Sequence, residues 1–415
     1  MDHRNQPNEP QFFDISRLTS YKYGNSSGID INLMIEESPQ KWAEASGYRY
    51  TSQADENEIK TPIQNCFLFN KAIEYAVSRP KEAVTNVFAD NLTCVYWNWG
   101  VRPNLPFGEI VFLEISKEDI YIGSAFWAKY YPFLSNHQDG KCTLKFDGNI
   151  NYHSVEEQVY FLGGVNQEGH FVKDLIPKLM GIKMLNLDRN IPIVVSRLYP
   201  YQRKIIKDLG LNFSFYEIAP PESMSFDLVR FRNAFVSYPL TSSIKSTFFR
   251  QCVAHIRGGF NADRNFVQNL PKYFYLKRDS SEETKRVFNT SDIEKALGRL
   301  GFLSISCEGR DPKELIALFS NAKLIVSDPY TPLLNWHNYC RSSCYAIWMI
   351  PESYSNGIDP TPLNNGVLDD LFVSLDKLFI LTGTLTNDVY SSTAPHTYCV
   401  EDLLLLVEKI QCTYA

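Results

Sequence analysis

The sequence predicts an α/β protein built from two Rossmann-like domains that face each other across a cleft. Three observations carry this. At 415 residues the chain exceeds what one hydrophobic core usually organises. From Val155 onward, short runs rich in Val, Ile and Phe alternate with stretches at helical spacing, the rhythm of parallel strands joined by helices. That rhythm runs twice, with Pro220-Pro221 and a break up to about residue 240 between the two series. The expected division is an N-terminal domain over 1–235, a C-terminal domain over 236–396 and a terminal helix over 397–415.

Residues 1–60 are polar and rich in turn formers, with Asn-Ser-Ser-Gly at 25–28, and read as an irregular extension wrapped on the surface. A helix-like stretch follows at 70–78, then alternating runs at 109–115 and 119–123 that read as strands. The first series has strands at 158–163, 191–196 and 213–218, with helices at 169–180 and at 201–209, the latter stopped by Gly210. The second series opens near Phe226 with a helix over 240–257 that Gly258-Gly259 should end. Strands are expected at 272–276, 302–306, 324–327, 345–350 and 377–382. Between them, Ser291-Asp292 can cap a helix at 293–300, and Pro312 suits the first turn of a helix at 312–320. A last amphipathic helix covers 401–411.

A net charge of −6 argues against general nucleic-acid binding, which needs a basic footprint. The average hides a local excess: from Arg230 to Arg286 there are eleven Lys or Arg and four acids, either solvated helix faces or a cationic wall for a phosphorylated ligand. The 14% aromatic share suits platforms for sugars or bases, although large cores use the same residues. Nine cysteines without paired spacing read as reduced thiols, and the polar start MDHRNQPNEP has no hydrophobic signal region, so a cytoplasmic location is expected. Cys340 and Cys344 lack a second ligand pair, which argues against zinc. The aliphatic run at 403–407 is too short to cross a bilayer, while the polar first 60 residues leave peripheral membrane association open.

Two stretches carry candidate chemistry. In VNQEGHFVKDLIPKL, His170 stands at a helix start with Asp174 one turn on, an arrangement that orients an imidazole as a general base or is an incidental pairing. In YFYLKRDSSEETKRVFN, Lys277 and Arg278 fall where a strand ends, with Arg286 and Asn289 leading into the next helix. Cations at the carboxyl edge of a strand, ahead of a helix N-terminus, suit a pyrophosphate; surface basicity is the plain alternative. No Asp-x-Asp occurs, which favours charge neutralisation by Arg and Lys over a divalent metal. The P-loop, dinucleotide, serine-hydrolase and His-Glu-x-x-His patterns are all missing. NAKLIVSDPYTPLLNW, at 321–336, runs from a buried strand into a loop without the glycine that phosphate loops usually use.

The order and spacing of these weak motifs over about residues 155–410 resembles glycosyltransferase family 61. The similarity lies in Gly169-His170-Phe171 with Asp174 and Pro177; in Lys277-Arg278, Arg286 and Asn289, with Thr290 in place of the family's acid; in Gly301-Phe302 with Glu308; and in Leu318-Phe319 with Ala322. Where the family has His-Gly-Ala-Gly-Leu-x-Asn, this chain has Pro329-Tyr330-Thr331-Pro332-Leu333-Leu334-Asn335, which keeps the Leu and the Asn but neither the His nor the two glycines. A backbone without glycine approaches a phosphate less closely, so the two hydroxyls substitute or the loop admits a different donor. The resemblance implies a GT-B architecture, with an acceptor-side N-terminal domain, a donor-side C-terminal domain and a terminal helix over 397–415 that returns to the first, and an inverting glycosyltransferase of cell-surface polysaccharide or capsule synthesis. Its donor is a nucleotide sugar, expected to be UDP-linked, its acceptor a glycan hydroxyl, and it uses no metal or other cofactor. His170 and Asp174 are then the catalytic pair. Lys277, Arg278, Arg286, Asn289, Glu308, Tyr330, Thr331 and Asn335 form the donor site. Two other readings stay open: an inactive binding or scaffold protein that kept the fold, and an alditol-phosphate transferase.

Overall fold

The structure is a computed structural model. Up to residue 163 it describes residues 9–10 and the strands named below; beyond that it describes 169, 171–184, 188–218, 226–238, 247–260, 269–278, 287–328, 332–341, 343–351, 375, 377–386 and 395–414. The chain divides into two compact units, Met1–Asp55 with Glu82–Cys252, and Glu56–Lys81 with Val253–Ala415. Both are α/β with parallel strands, consistent with a Rossmann-like organisation of each sheet.

In chain order, the strands of the N-terminal part are β1 (Gln11–Asp14), β2 (Lys22–Gly24), β3 (Ile31–Met34), β4 (Arg49–Ser52), β5 (Ala72–Ala76), β6 (Thr85–Ala89), β7 (Leu92–Asn98) and β8 (Gly108–Ser116). They continue with β9 (Asp119–Ile122), β10 (Leu134–Gln138), β11 (Lys141–Leu144) and β12 (Ile150–Gly163). Then come β13 (Ile193–Ser196), β14 (Ser214–Ile218) and β15 (Phe226–Tyr238). The first unit's sheet has a parallel part in the order β1-β14-β13-β12-β15. β7 and β6 then add antiparallel to successive halves of β15, and β8 and β9 extend the sheet through β7. Between β12 and β13 lie a π-turn, Phe171–Leu175, and helix α1 (Ile176–Met184); between β13 and β14 lies α2 (Pro200–Asp208). Gly210, at φ 59°, ends α2 in the left-handed region that glycine reaches without strain.

Three sequence expectations change here. The first 60 residues carry β1–β4 rather than an irregular wrap. β1 pairs with β14 and β2 with β12, so runs with no pattern of their own become strands on a sheet supplied by residues far along the chain. The stretch at 70–78 contains β5, not a helix, because Ala72–Ala76 adds antiparallel to a strand of the second unit. β15, where the second series was expected to open, instead runs parallel to β12 in the first sheet.

The second unit's sheet is β16 (Tyr273–Leu276), β17 (Leu303–Ile305), β18 (Leu324–Ser327), β19 (Tyr345–Pro351) and β20 (Lys377–Leu385), all parallel in the order β17-β16-β18-β19-β20, with β5 beyond β20. Helix α3 (Thr247–Phe260) runs through Gly258-Gly259, which the sequence reads as its stop; residues 240–246 lie outside those described. Next come α4 (Thr290–Arg299), α5 (Pro312–Asn321), α6 (Pro332–Trp336) and α7 (Val400–Tyr414). Asp311 caps α5 through its carboxylate, which accepts from Lys313 N at 2.9 Å, with Pro312 at the first turn.

Alternation along β16 divides the core. Tyr275 joins Ile293 and Leu297 of α4 and Leu403, Leu406, Val407 and Ile410 of α7 on one face. Phe274 turns to the other, edge-on to Phe319 of α5, which stacks on Trp336 of α6. The terminal helix therefore spends its apolar stripe on the core of the second unit. Among the described residues no helix is long and apolar enough to cross a membrane.

β20 pairs with the short strand β21 (His396–Thr397), and Gly383 lies against that turn of chain. A Cβ on Gly383 would stand 2.8 Å from Thr397 O and 2.7 Å from Tyr398 Cε1. Backbone on one side and a buried ring on the other leave little room to yield, so Gly383→Ala is expected to cost about 1–3 kcal/mol in denaturant unfolding.

Candidate functional site

Within the parallel strands of the second sheet the chain starts at β16, moves outward to β17, and returns across β16 to β18. The order reverses between β16 and β18, and ligands of open α/β sheets bind outside the carboxyl ends of the strands at such a point. The residues that emerge there are Lys277 and Arg278 after β16 and Asp328 after β18. Both strands reach this edge as unbroken buried runs, Phe274-Tyr275-Leu276 and Leu324-Ile325-Val326-Ser327, which keeps their ends rigid.

Asp328 organises the edge. It is 5% exposed, accepts a 2.6 Å hydrogen bond from the Tyr275 hydroxyl, and accepts another from the backbone N–H of Arg278. Its own N–H donates to Leu276 O at 3.2 Å, and Lys277 N donates to Ile305 O at 2.9 Å, so three strand ends are tied together. Burial pushes the Asp328 carboxyl up to about 6; the Tyr275 hydroxyl, the Arg278 N–H and the Lys277 ammonium oppose the rise, and Glu294 adds to it. Burial first, and then the Asp328 carboxylate, push the Tyr275 hydroxyl well above its ordinary range. The loop that carries Arg278 is thus held by a buried carboxyl group, a preorganised support for a charged side chain.

Of the sequence-predicted residues, Lys277 and Arg278 come together at this edge. Lys277 is a half-buried cation already paired with Glu294 of α4 at 2.8 Å, which offsets part of its charge. The guanidinium of Arg278 is half-buried and meets no carboxylate among the described residues. Glu308 is exposed on the turn after β17, its N–H accepted by Ser306 Oγ at 3.2 Å, at the same edge of the sheet. Asn335 is half-buried in α6, beyond the loop that follows Asp328.

Asn289 has a different engagement. Its Nδ2 donates to Tyr398 O at 2.7 Å, and its Oδ1 accepts from Tyr398 N at 3.2 Å. This two-bond tie fastens the start of α4 to the segment before α7, so the residue acts as a structural clamp. Asn289→Ala is expected to lower stability by about 1–3 kcal/mol and to leave nucleotide affinity within about threefold. A melting curve and a titration of the same variant check both halves.

His170, Arg286, Tyr330 and Thr331 lie outside the described residues, as does the side chain of Asp174. The backbone of Asp174 belongs to the π-turn Phe171–Leu175, a wider winding than the α-helical turn read from the sequence. Single π-turns of this kind occur frequently at functional sites. Among the described residues no three His, Cys, Asp or Glu side chains come together as a metal-ligand group.

Sequence reasoning missed Asp328. Its signal was a carboxylate standing directly after four buried strand residues, in a stretch read only for its missing glycines.

No curated protein matches the chain. A family model does, over residues 169–327, beginning one residue before His170 and ending one residue before Asp328, so the glycine-free loop falls beyond it. That family is Glycosyltransferase 61, and the chain is similar to it over this stretch, which includes the strand that leads to Lys277 and Arg278.

Proposed function

We propose that the protein transfers a sugar from a nucleotide-sugar donor to a glycan hydroxyl with inversion at the anomeric carbon, in cell-surface polysaccharide synthesis. The observation that carries this reading is the β16–β18 edge, where Arg278 stands on a backbone locked by Asp328 within a stretch matched to a glycosyltransferase family. We assign the donor to the second unit and the acceptor to the first, in the two-domain GT-B manner.

In the proposed step the acceptor oxygen forms a bond to the anomeric carbon as the bond from that carbon to the diphosphate oxygen breaks. The hydroxyl proton passes to His170, oriented by Asp174, and the diphosphate leaves with the bonding electron pair. Arg278, with help from Lys277 and Arg286, stabilises the charge that develops on it. Glu308, Tyr330, Thr331 and Asn335 complete the donor pocket, with a UDP-linked donor as the first choice.

A thermal-shift screen with UDP, GDP, CDP, CMP and their sugars, with and without EDTA, tests this. A ligand present at about a hundred times its Kd stabilises the native state by roughly 2.7 kcal/mol. The expected result is a shift with one nucleoside diphosphate that survives EDTA and disappears in Arg278→Ala. A shift abolished by EDTA rejects the metal-independent mechanism. No shift with any nucleotide, from folded protein, rejects the transferase reading in favour of a binding protein that kept the fold.

A further inference from the structure

The first unit carries a second built edge. β13, buried along its whole length, delivers Arg197, Leu198 and Tyr199 to its carboxyl end, and Pro200 then starts α2. Tyr199 and Tyr201 flank that proline, both half-buried, with rings 6.0 Å apart and only 8° from parallel. Tyr201 in turn meets the edge of Phe171 at 6.3 Å and 78°. Phe171 is fully buried, opens the π-turn and follows His170 in the chain.

The tyrosines are held from behind. Tyr199 N donates to Gln202 Oε1 at 2.8 Å, and Gln202 Nε2 donates to the Tyr201 hydroxyl at 3.2 Å, from a fully buried position. Glu217, at the end of β14 and 4% exposed, accepts from Leu198 N at 3.2 Å and from Arg203 Nε at 3.1 Å, and Arg203 Nη2 pairs with its other oxygen. Arg197 N donates to Ile218 O at 3.0 Å. Burying a carboxylate is costly unless it is paired and hydrogen-bonded, and here that arrangement fixes the Leu198–Tyr199 backbone. A helix start alone needs only a short polar cap. Two stacked rings, one beside a backbone held by the buried Glu217 carboxylate and the other bonded by the buried Gln202 amide, form a rigid aromatic surface instead.

We infer that Tyr199 and Tyr201 form a platform on which a pyranose ring of the glycan acceptor stacks, at the start of the π-turn that follows His170. This rests on the proposed transferase reading. The electron-rich face of an aromatic ring attracts the C–H edges of a neighbour, and a pyranose offers such C–H groups on its flat face. A preorganised platform also lowers the ordering cost of holding a flexible glycan.

Saturation-transfer difference NMR on the full chain tests it, with the methyl glycosides of glucose, galactose, mannose, xylose and N-acetylglucosamine as probes. The expected result is saturation of the ring protons of at least one glycoside, reduced about three- to tenfold in Tyr199→Ala and Tyr201→Ala and kept in Tyr201→Phe. Saturation unchanged in both alanine variants overturns the platform, as does no saturation of any probe by folded wild-type protein. Tyr199→Leu, which keeps bulk and loses the aromatic face, takes the place of an alanine variant that fails to fold. UDP affinity read in the same samples separates the two readings. UDP binding without glycoside contact rejects the platform and leaves the donor site standing. Tyrosine-dependent glycoside contact without any nucleotide binding supports the platform and rejects the donor site.

Discussion

Replacing Arg278 with alanine is expected to weaken UDP binding by about 30- to 1,000-fold, the equivalent of roughly 2–4 kcal/mol for one charged donor removed from a preorganised anion site. The magnitude follows from position. Arg278 emerges where the strand order reverses, its backbone N–H is held by a buried carboxyl group, and its guanidinium has no carboxylate partner among the described residues. Lys277 cannot replace it, because its ammonium is 2.8 Å from Glu294. Arg278→Lys should recover only part of the loss, since a point charge does not reproduce a bidentate fork. Asn335→Ala, at a half-buried position on α6, should cost about tenfold or less. Isothermal titration calorimetry of the three variants checks the ranking, and equal losses from Arg278→Ala and Asn335→Ala place the diphosphate elsewhere.

Asp328 should make folding stability fall as pH rises from about 4 to about 6. Its carboxyl has an ordinary value near 3.8 and is pushed up to about 6 by burial, so between those values the folded state holds a proton that the unfolded chain has released. The stability it contributes is complete below the unfolded value and is lost as pH rises through the folded one. At about 1.4 kcal/mol per tenfold, the span amounts to roughly 3 kcal/mol as an upper figure. After burial, the groups that face it set the size: the Tyr275 hydroxyl, the Arg278 N–H and the Lys277 ammonium lower the value, and Glu294 raises it. Denaturant unfolding across this range, compared with Asp328→Asn, isolates the term. The advantage of wild type over the variant should be largest near pH 4 and shrink toward pH 7. A constant difference excludes titration of Asp328 in this window. Near neutral pH, Asp328→Ala should also weaken UDP binding, because it releases the Arg278 backbone and leaves the buried Tyr275 hydroxyl without its acceptor.

Some of the architecture was legible in local patterns. The alternating runs at 109–115 and 119–123 became β8 and β9, and the strand–helix rhythm after Val155 became the parallel strands and helices of both units. These succeed because period-2 and period-3.6 patterns are written in neighbouring residues. The basic strand end at Lys277-Arg278 was legible for the same reason. What local patterns missed was pairing. Ala72–Ala76 looked helical until β20 supplied an edge for it, and β15 looked like the start of a second series until its register with β12 placed it in the first sheet. Asn289 looked like a donor ligand because nothing nearby hints at Tyr398, 109 residues away.

The residues alone therefore determined the α/β class, the succession of elements from Val155 and the family that the central stretch resembles, since each depends on short-range spacing and motif order. Only the tertiary structure decided which strands are neighbours, and with that where the order reverses and which carboxylate is buried there. Asp328 and Tyr275 are 53 residues apart and touch only because β16 and β18 lie side by side. Contacts of that range are set by the sum of burial and backbone pairing over a whole sheet, and no window of sequence contains that sum.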